Sequence, residues 1–229
     1  SNLIRLAVNP NFWFNGSVDA GKNLTKEKYR QWIDDMVKAA QVRGKYIIID
    51  CHTYVCPVQE TMDFWMDMCD VYGNNPAVLF GLLNEPHSID WELWRNGGTK
   101  NDAPAIGHQA LVEAIRDKGI KNILIAAGLN WGYNLSGIVD GYALIDQGSG
   151  DDLSKAGNGI IYDSHVYPGK SGKNRDGWNS NLGPVREKYP VLVGEWGWDS
   201  SDSNITNGTN STDAIYNLQF LKWMDDGYG

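Results

Sequence analysis

The sequence predicts an α/β fold with a parallel β-sheet, and more specifically a (β/α)₈-type barrel. Three observations support this prediction. Short segments rich in Ile, Val and Leu recur along the chain, segments with helical periodicity separate them, and polar residues follow each apolar segment. Strands that are apolar on both faces and alternate with helices form a parallel sheet with helices on either side.

Six segments have the length and composition of strands buried on both faces. They are residues 3–8, 46–49, 78–83, 123–127, 160–162 and 191–193. The third reads VLFGLL and is followed directly by Asn84, Glu85, Pro86 and His87. A protein core has no use for an amide, a carboxylate and an imidazole in close succession. The end of this strand is therefore predicted to belong to a functional site.

Four helices are predicted from apolar residues spaced three and four apart. Thr25 is the expected N-cap of the first and Gly44 its end. Its apolar face comprises Tyr29, Trp32, Ile33, Met36, Val37 and Ala40. The second helix carries Phe64, Trp65, Met68, Cys69 and Tyr72. The third is expected to begin at Pro104 and to end before Gly119. The last presents Ile215, Leu218, Leu221 and Met224.

A barrel is preferred to the other architecture that this alternation allows, a doubly wound open sheet. A doubly wound nucleotide-binding sheet usually carries a glycine-rich turn after its first strand, and residues 3–14 contain no glycine. No linker-like segment interrupts the pattern, so residues 1–229 are predicted to form a single domain. In a parallel barrel the carboxyl ends of all strands meet at one face, where active sites are built.

The composition argues against several functional classes. The net charge of −8 and the lack of clustered Lys and Arg argue against nucleic-acid binding. No apolar stretch approaches the roughly 20 residues that span a bilayer, so no membrane partner is expected. Cys51, Cys56 and Cys69 are too few for a disulfide framework, although a bridge between the first two stays open. Ten Trp and eleven Tyr suit flat, hydroxylated ligands such as sugars.

Two carboxylates stand out among the polar residues at the strand ends. Glu85 follows the third strand and Glu195 the sixth, so in a barrel they face each other across the mouth. Paired carboxylates on opposite sides of a substrate are what glycosidic bond cleavage needs, one protonated and one ionised. Such a pair suffices for the chemistry, so neither a cofactor nor a metal is expected.

The segments around these carboxylates resemble a known family. Leu83-Asn84-Glu85-Pro86 is similar to the Asn-Glu-Pro motif of the retaining glycoside hydrolases of clan A, most of all glycoside hydrolase family 5, the cellulase family. Gly194-Glu195-Trp196-Gly197 resembles that family's nucleophile strand. Ile4-Arg5-Leu6 resembles its second strand, Asp50-Cys51-His52 its third and His165-Val166-Tyr167 its sixth.

The resemblance implies a role for each matching residue. Glu85 would be the general acid/base and Glu195 the nucleophile. Asn84 would hold the sugar 2-hydroxyl, and Arg5 and Tyr167 would hydrogen-bond the nucleophile. The remaining predicted contacts are His52 and His165, which would touch the sugar or tune the acid, and Trp131 and Trp198, which would be stacking platforms.

The implied activity is retaining, endo-acting hydrolysis of a β-1,4-linked polysaccharide, with cellulose or another β-glucan favoured over mannan or xylan. The polysaccharide would be the partner and the protein a monomer. An extracellular location follows from a polymer too large to import. The family's barrel has eight strands and six are recognisable here, so a barrel incomplete at both ends is expected.

Other interpretations stay open at the level of the sequence. The chain could be a non-catalytic carbohydrate-binding barrel or an inactive fragment. His52 could bind a metal with Cys51, Cys56 or His87, Arg5 could be an ion-pair partner inside the barrel, and Tyr167 could be a capping aromatic. Phe12, Trp13 and Phe14 either form a further sugar subsite or pack the loop after the first strand, and the same two alternatives stay open for Tyr54.

Overall fold

A computed structural model describes residues 2–17, 24–167, 174–197 and 212–226 of the chain. In chain order its elements are β1 (Leu3–Val8), α1 (Pro10–Asn15), α2 (Lys26–Val42), β2 (Tyr46–Cys51), β3 (Tyr54–Val55), α3 (Gln59–Tyr72), β4 (Val78–Gly81), β5 (Glu85–Pro86), α4 (Trp91–Asn96), β6 (Gly97–Lys100), β7 (Ala103–Ile106), α5 (His108–Asp117), β8 (Leu124–Ala127), β9 (Ile160–Val166), α6 (Arg175–Arg186), β10 (Val191–Trp196) and α7 (Thr212–Asp225).

The main sheet contains the six predicted strands, all parallel, in the order β1-β2-β4-β8-β9-β10. The sheet is curled like part of a barrel wall. The evidence is that Arg5 on its first strand is hydrogen-bonded to Glu195 on its last strand. The prediction of a parallel barrel-type fold is therefore confirmed. The predicted bounds were too short at β9 and β10, so His165 and Glu195 lie within strands instead of after them.

The central strands β2, β4 and β8 are buried on both faces, which explains their unbroken apolar runs. On β2 the side chains of Ile47 and Ile49 join the large core between sheet and helices. Ile48, between them, points to the other face and packs with Leu79 and Ile125 in a smaller inner cluster. The period-two alternation of a strand thus gives one core outside the curled sheet and one inside it.

The first two predicted helices correspond to α2 and α3 and largely follow the prediction. The Thr25 side chain caps α2 by accepting a hydrogen bond from the backbone N–H of Lys28, and the five predicted apolar residues of α3 are all buried. The predicted apolar face of α2 was too wide. Trp32 and Met36 are exposed, whereas Ile33, Val37 and Ala40 are buried and Tyr29 packs against the core.

The prediction that a helix begins at Pro104 was wrong. Strands β6 and β7 form an antiparallel hairpin, and α5 begins only at His108. Asn101 and Asp102 at the hairpin tip both have positive φ, as a two-residue type I′ turn requires. This Asn-Asp pair indicates a hairpin in the sequence. The helical spacing of the apolar residues after it favoured a helix from Pro104 instead.

The last helix exists, but its buried face differs from the predicted one. Leu218 and Leu221 of α7 are exposed, and the side chain of Ile215 lies outside the described residues. The helix instead buries Phe220 and Trp223, whose rings pack at 5.0 and 5.8 Å from the ring of Trp178 on α6. The larger area of the aromatic rings outweighs that of the leucines.

All three cysteines are buried free thiols, so the Cys51–Cys56 bridge that the sequence left open is not formed. Within the described part of the chain, no helix is both long enough and apolar enough to cross a bilayer.

Candidate active site

Seven of the nine predicted site residues form one hydrogen-bonded network at the carboxyl ends of the strands. They are Arg5, His52, Asn84, Glu85, His165, Tyr167 and Glu195. Trp131 lies beside this network. Trp198 lies outside the described residues.

Arg5 on β1 connects three parts of the network. Its Nη1 donates to Oε1 of Glu195 at 2.5 Å, and its Nη2 donates to Oδ1 of Asn84 at 2.6 Å. The same Nη2 lies 3.0 Å from Oδ1 of Asp50 on β2. The planar, two-nitrogen fork of a guanidinium suits this task, because it serves three acceptors from one fixed geometry.

Glu195 is held as an ionised carboxylate. Its second oxygen, Oε2, accepts a hydrogen bond from the hydroxyl of Tyr167 at 3.0 Å. Burial on its own would raise the pKa of Glu195, but the nearby His165 and Arg5 charges outweigh it and the pKa is lowered. For Tyr167, burial and the charge of Glu195 both raise the pKa, so its hydroxyl stays a proton donor.

His165 lies between the two predicted catalytic carboxylates and is fully buried. Its Nδ1 is 3.0 Å from Oε1 of Glu85 and 3.6 Å from Oε2 of Glu195. Burial favours the neutral ring, but Asp163, Glu85 and Glu195 together outweigh it and raise the pKa of His165 to about 9. At neutral pH an imidazolium therefore sits between the carboxylates.

The two carboxylates come close together. One oxygen of Glu85 and one of Glu195 lie within 4.8 Å of each other and of a ring nitrogen of His165. These three side chains are the set among the described residues whose ligand atoms converge as a metal site requires. A protonated His165 has no lone pair to offer a metal ion, and Glu195 is already paired with Arg5, so the donor set is better suited to hydrogen bonding than to holding a cation.

His52 is paired with a carboxylate and lies outside that convergent set. Its Nδ1 is 2.8 Å from Oδ2 of Asp50, whose other oxygen faces Arg5. The alternative of a metal site with Cys51, Cys56 or His87 is thus not supported among the described residues. Asp50 is almost fully buried and orients two predicted site residues at once, a role the sequence analysis did not assign.

Trp131 lies next to the segment that carries Glu85. Its backbone N–H donates to the carbonyl of Pro86 at 3.0 Å, and its ring stacks on that of His87 with centroids 4.4 Å apart and planes at 12°. The indole is 43% exposed, so its surface is available to a ligand.

Tyr54, which the sequence left open between a sugar subsite and packing, is an exposed aromatic residue. It pairs with Glu85 in the two-stranded β3–β5 sheet, and its ring lies 5.8 Å from that of His52. Trp13, by contrast, is a packing residue: it is buried, bonded to Asp67 and covered by Arg30.

The curled parallel sheet and the carboxylate pair at its carboxyl edge define a protein of the (β/α)-barrel class. A sequence model of "Cellulase (glycosyl hydrolase family 5)" matches residues 1–228, and the chain belongs to this family.

Characterised relatives agree with this assignment. Endoglucanase Z of Dickeya dadantii (strain 3937) is 26% identical over 83% of this chain and 39% of its own length. Endoglucanase A of Butyrivibrio fibrisolvens is 27% identical over 95% of this chain and 46% of its own. The chain therefore spans less than half the length of these curated relatives.

A solved structure is similar over nearly the whole chain. The beta-glucanase SdGluc5_26A of Saccharophagus degradans superposes with a TM-score of 0.70 at 26% identity, covering 98% of this chain and 66% of that one.

Proposed function

We propose that this chain is a retaining, endo-acting glycoside hydrolase that cleaves β-1,4-linked glucan, and that residues 1–229 act as one catalytic domain. The observation that carries the proposal is the Glu85–Glu195 pair, with oxygens within 4.8 Å of each other and an imidazolium between them. Retaining pairs lie about 5 Å apart, whereas inverting pairs leave room for a water at about 6.5–9.5 Å.

In the first step Glu195, held ionised by Arg5 and Tyr167, attacks the anomeric carbon. The glycosidic carbon–oxygen bond breaks as Glu85 gives its proton to the leaving oxygen. In the second step Glu85 takes a proton from water, whose oxygen displaces Glu195 from the anomeric carbon. His165, 3.0 Å from Glu85, supports the carboxylate that Glu85 becomes once it has given up its proton in the first step.

The substrate class rests on the relatives and on the exposed aromatic rings. The two curated relatives are named endoglucanases, and a solved structure of SdGluc5_26A holds cellotetraose. Trp131 and Tyr54 offer ring surfaces on either side of Glu85, and Asn84 and His52 would bond the sugar hydroxyls. A polymeric substrate implies an extracellular monomer, with no other partner required.

Glu195→Gln tests the proposal. It removes the nucleophile but keeps the size of the side chain, so hydrolysis of carboxymethylcellulose should fall by at least about 1,000-fold with the melting temperature little changed. Glu187→Gln, at an exposed position after α6, is the matched control and should be as active as the wild type. The released sugar should keep its β configuration when followed by NMR.

Four results would contradict the proposal. A Glu195→Gln protein as active as the wild type would exclude the assigned nucleophile. Release of α-configured sugar would exclude retention. Binding of cellulose without any product would favour the non-catalytic carbohydrate-binding interpretation. Faster release of reducing sugar from mannan or xylan than from β-glucan, in a panel of polysaccharides, would contradict the assigned substrate.

A further inference from the structure

The register of β10 against β9 changes immediately before the predicted nucleophile. Leu192 pairs with Asp163, and the next paired residue, Glu195, lies opposite His165. Two residues of β10 therefore face the single residue Ser164, which makes a β-bulge. A bulge bends its strand and redirects the side chain that follows it. The direction of the Glu195 side chain thus depends on how this bulge is held.

Asp163 holds the bulge from the neighbouring strand. The backbone N–H of Gly194, in the bulge, donates to Oδ1 of Asp163 at 2.6 Å. The carboxylate lies so close that a Cβ added at Gly194 would be 2.3 Å from its Oδ2, so position 194 has no room for a side chain. Asp163 is 3% exposed, and this hydrogen bond therefore forms away from competing water.

The other oxygen of the same carboxylate faces His165. Oδ2 of Asp163 lies 3.4 Å from Nε2 of the imidazole, and that nitrogen has no aligned hydrogen-bond partner. The contact is therefore an ion pair, in which the charge of Asp163 matters more than hydrogen-bond direction. The opposite ring nitrogen, Nδ1, is the one that faces Glu85 and Glu195.

We propose that Asp163 is a positioning residue for both carboxylates: one oxygen anchors the bulge that aims Glu195, and the other pairs with the imidazole of His165 and holds it beside Glu85. The proposal rests on the proposed function for its effect on turnover. Its structural content is a single buried carboxylate in contact with the backbone before one glutamate and with the imidazole beside the other.

The charged groups around His165 come from four strands. Asp163 lies on its own strand β9, Glu85 on β5 and Glu195 on β10, while Arg5 on β1 holds Glu195. Arg5 and burial favour the neutral imidazole, and the three carboxylates favour the charged one. Loss of the Asp163 charge removes one of the three, so His165 should release its proton at a lower pH.

Two substitutions separate the two contacts. Asp163→Asn keeps an oxygen that can accept from Gly194 but removes the charge that faces His165. Asp163→Ala removes both contacts. Ser164→Ala is the matched control, since Ser164 is also buried on β9 but its hydroxyl donates to the carbonyl of Tyr133, away from the carboxylates.

The measurements are kcat and KM on an aryl β-cellobioside, the melting temperature, and an NMR titration of His165, one of four histidines in the chain. Asp163→Asn should lower the titration midpoint of His165 by at least about one pH unit. The alkaline limb of the pH profile of kcat should also move to lower pH. Asp163→Ala should lower kcat by about 100-fold with KM within about threefold, because Glu195 is misaligned. Ser164→Ala should change only the melting temperature.

An unmoved His165 titration together with unchanged kcat in Asp163→Asn would overturn the inference. An equal loss of kcat in Asp163→Ala and Ser164→Ala would overturn it as well, because a general loss of stability would then explain both. A wild-type protein that cleaves no glycan would overturn the proposed function instead. The His165 titration in Asp163→Asn and the amide shift of Gly194 in Asp163→Ala would still decide the inference.

Discussion

Arg5 and Glu195 are 190 residues apart in the chain and are joined by a hydrogen-bonded ion pair of 2.5 Å. Arg5 lies on the first strand of the sheet and Glu195 on the last, so the pair bridges the two edges of the described sheet. The contact thus brings the predicted nucleophile to the side of the sheet where Asn84 and Glu85 lie, since Arg5 also binds Asn84.

Arg5→Lys tests whether the fork of the guanidinium is needed. Lysine keeps a positive charge but has one nitrogen, which cannot serve Glu195, Asn84 and Asp50 together. We expect kcat/KM on carboxymethylcellulose to fall by about 100-fold. The acid limb of its pH profile should move to higher pH, because Arg5 is one of the groups that lower the pKa of Glu195.

The exposed Arg43, whose guanidinium bonds only its own helix, supplies the matched control. Arg43→Lys should leave both activity and the pH profile unchanged. Full activity in Arg5→Lys would show that charge alone is sufficient.

The stability of the fold should depend on pH through His165. Its pKa is about 9 in the folded state against 6.5 for the free side chain, so the folded state binds this proton more tightly. The resulting stabilisation is complete below pH 6.5 and disappears as the pH rises through about 9, and its size is about 3 kcal/mol. Urea unfolding at several pH values measures it.

His165→Gln removes the titrating ring and serves as the reference protein in this experiment. Its free energy of unfolding should be less dependent on pH between 6.5 and 9 than that of the wild type. Parallel curves for the two proteins would refute the assigned pKa.

Gly132 is predicted to be essential for the placement of His165. It has a φ of +78°, and an added Cβ would lie 2.8 Å from the His165 ring. Gly132→Ala should therefore reduce kcat by at least about tenfold, because the ring and its contact with Glu85 are displaced. Steady-state kinetics on an aryl β-cellobioside measures the loss.

Gly119→Ala separates this steric effect from backbone strain. Gly119 has a similar φ of +73° but open space around its Cβ position. Alanine there should cost about 1–2 kcal/mol of stability and leave kcat unchanged. Equal losses of activity in both variants would assign the effect to strain alone.

The stack of Trp131 on His87 should contribute to sugar binding. His87 packs on one face of the indole at 4.4 Å and fixes its orientation beside Glu85. His87→Ala should weaken cellotetraose binding by about fivefold. The double variant His87→Ala/Trp131→Ala should bind cellotetraose little more weakly than Trp131→Ala alone. Calorimetry on the Glu195→Gln background measures the binding without turnover.

Trp32→Ala is the control for that experiment, since Trp32 is an exposed tryptophan on the outer helix α2. It should bind cellotetraose like the parent. Additive losses from His87→Ala and Trp131→Ala would mean that the two residues act independently.

The sequence by itself determined the periodic part of the structure and the chemistry at the strand ends. Strands such as β2 are apolar on both faces and α3 buries one stripe, so local patterns were sufficient to predict them. Glu85, Glu195 and the polar residues near them were identifiable because no core tolerates such groups without a reason.

Only the tertiary structure decided which groups touch. Asp163 reaches Gly194 and His165 through a bulge, and Asp50 joins Arg5 to His52. The buried face of α7 likewise depends on a packing partner elsewhere in the chain, the ring of Trp178 on α6. Local periodicity reports whether a side chain is buried, but hydrogen bonds and ion pairs between strands far apart in sequence form only once the sheet has curled.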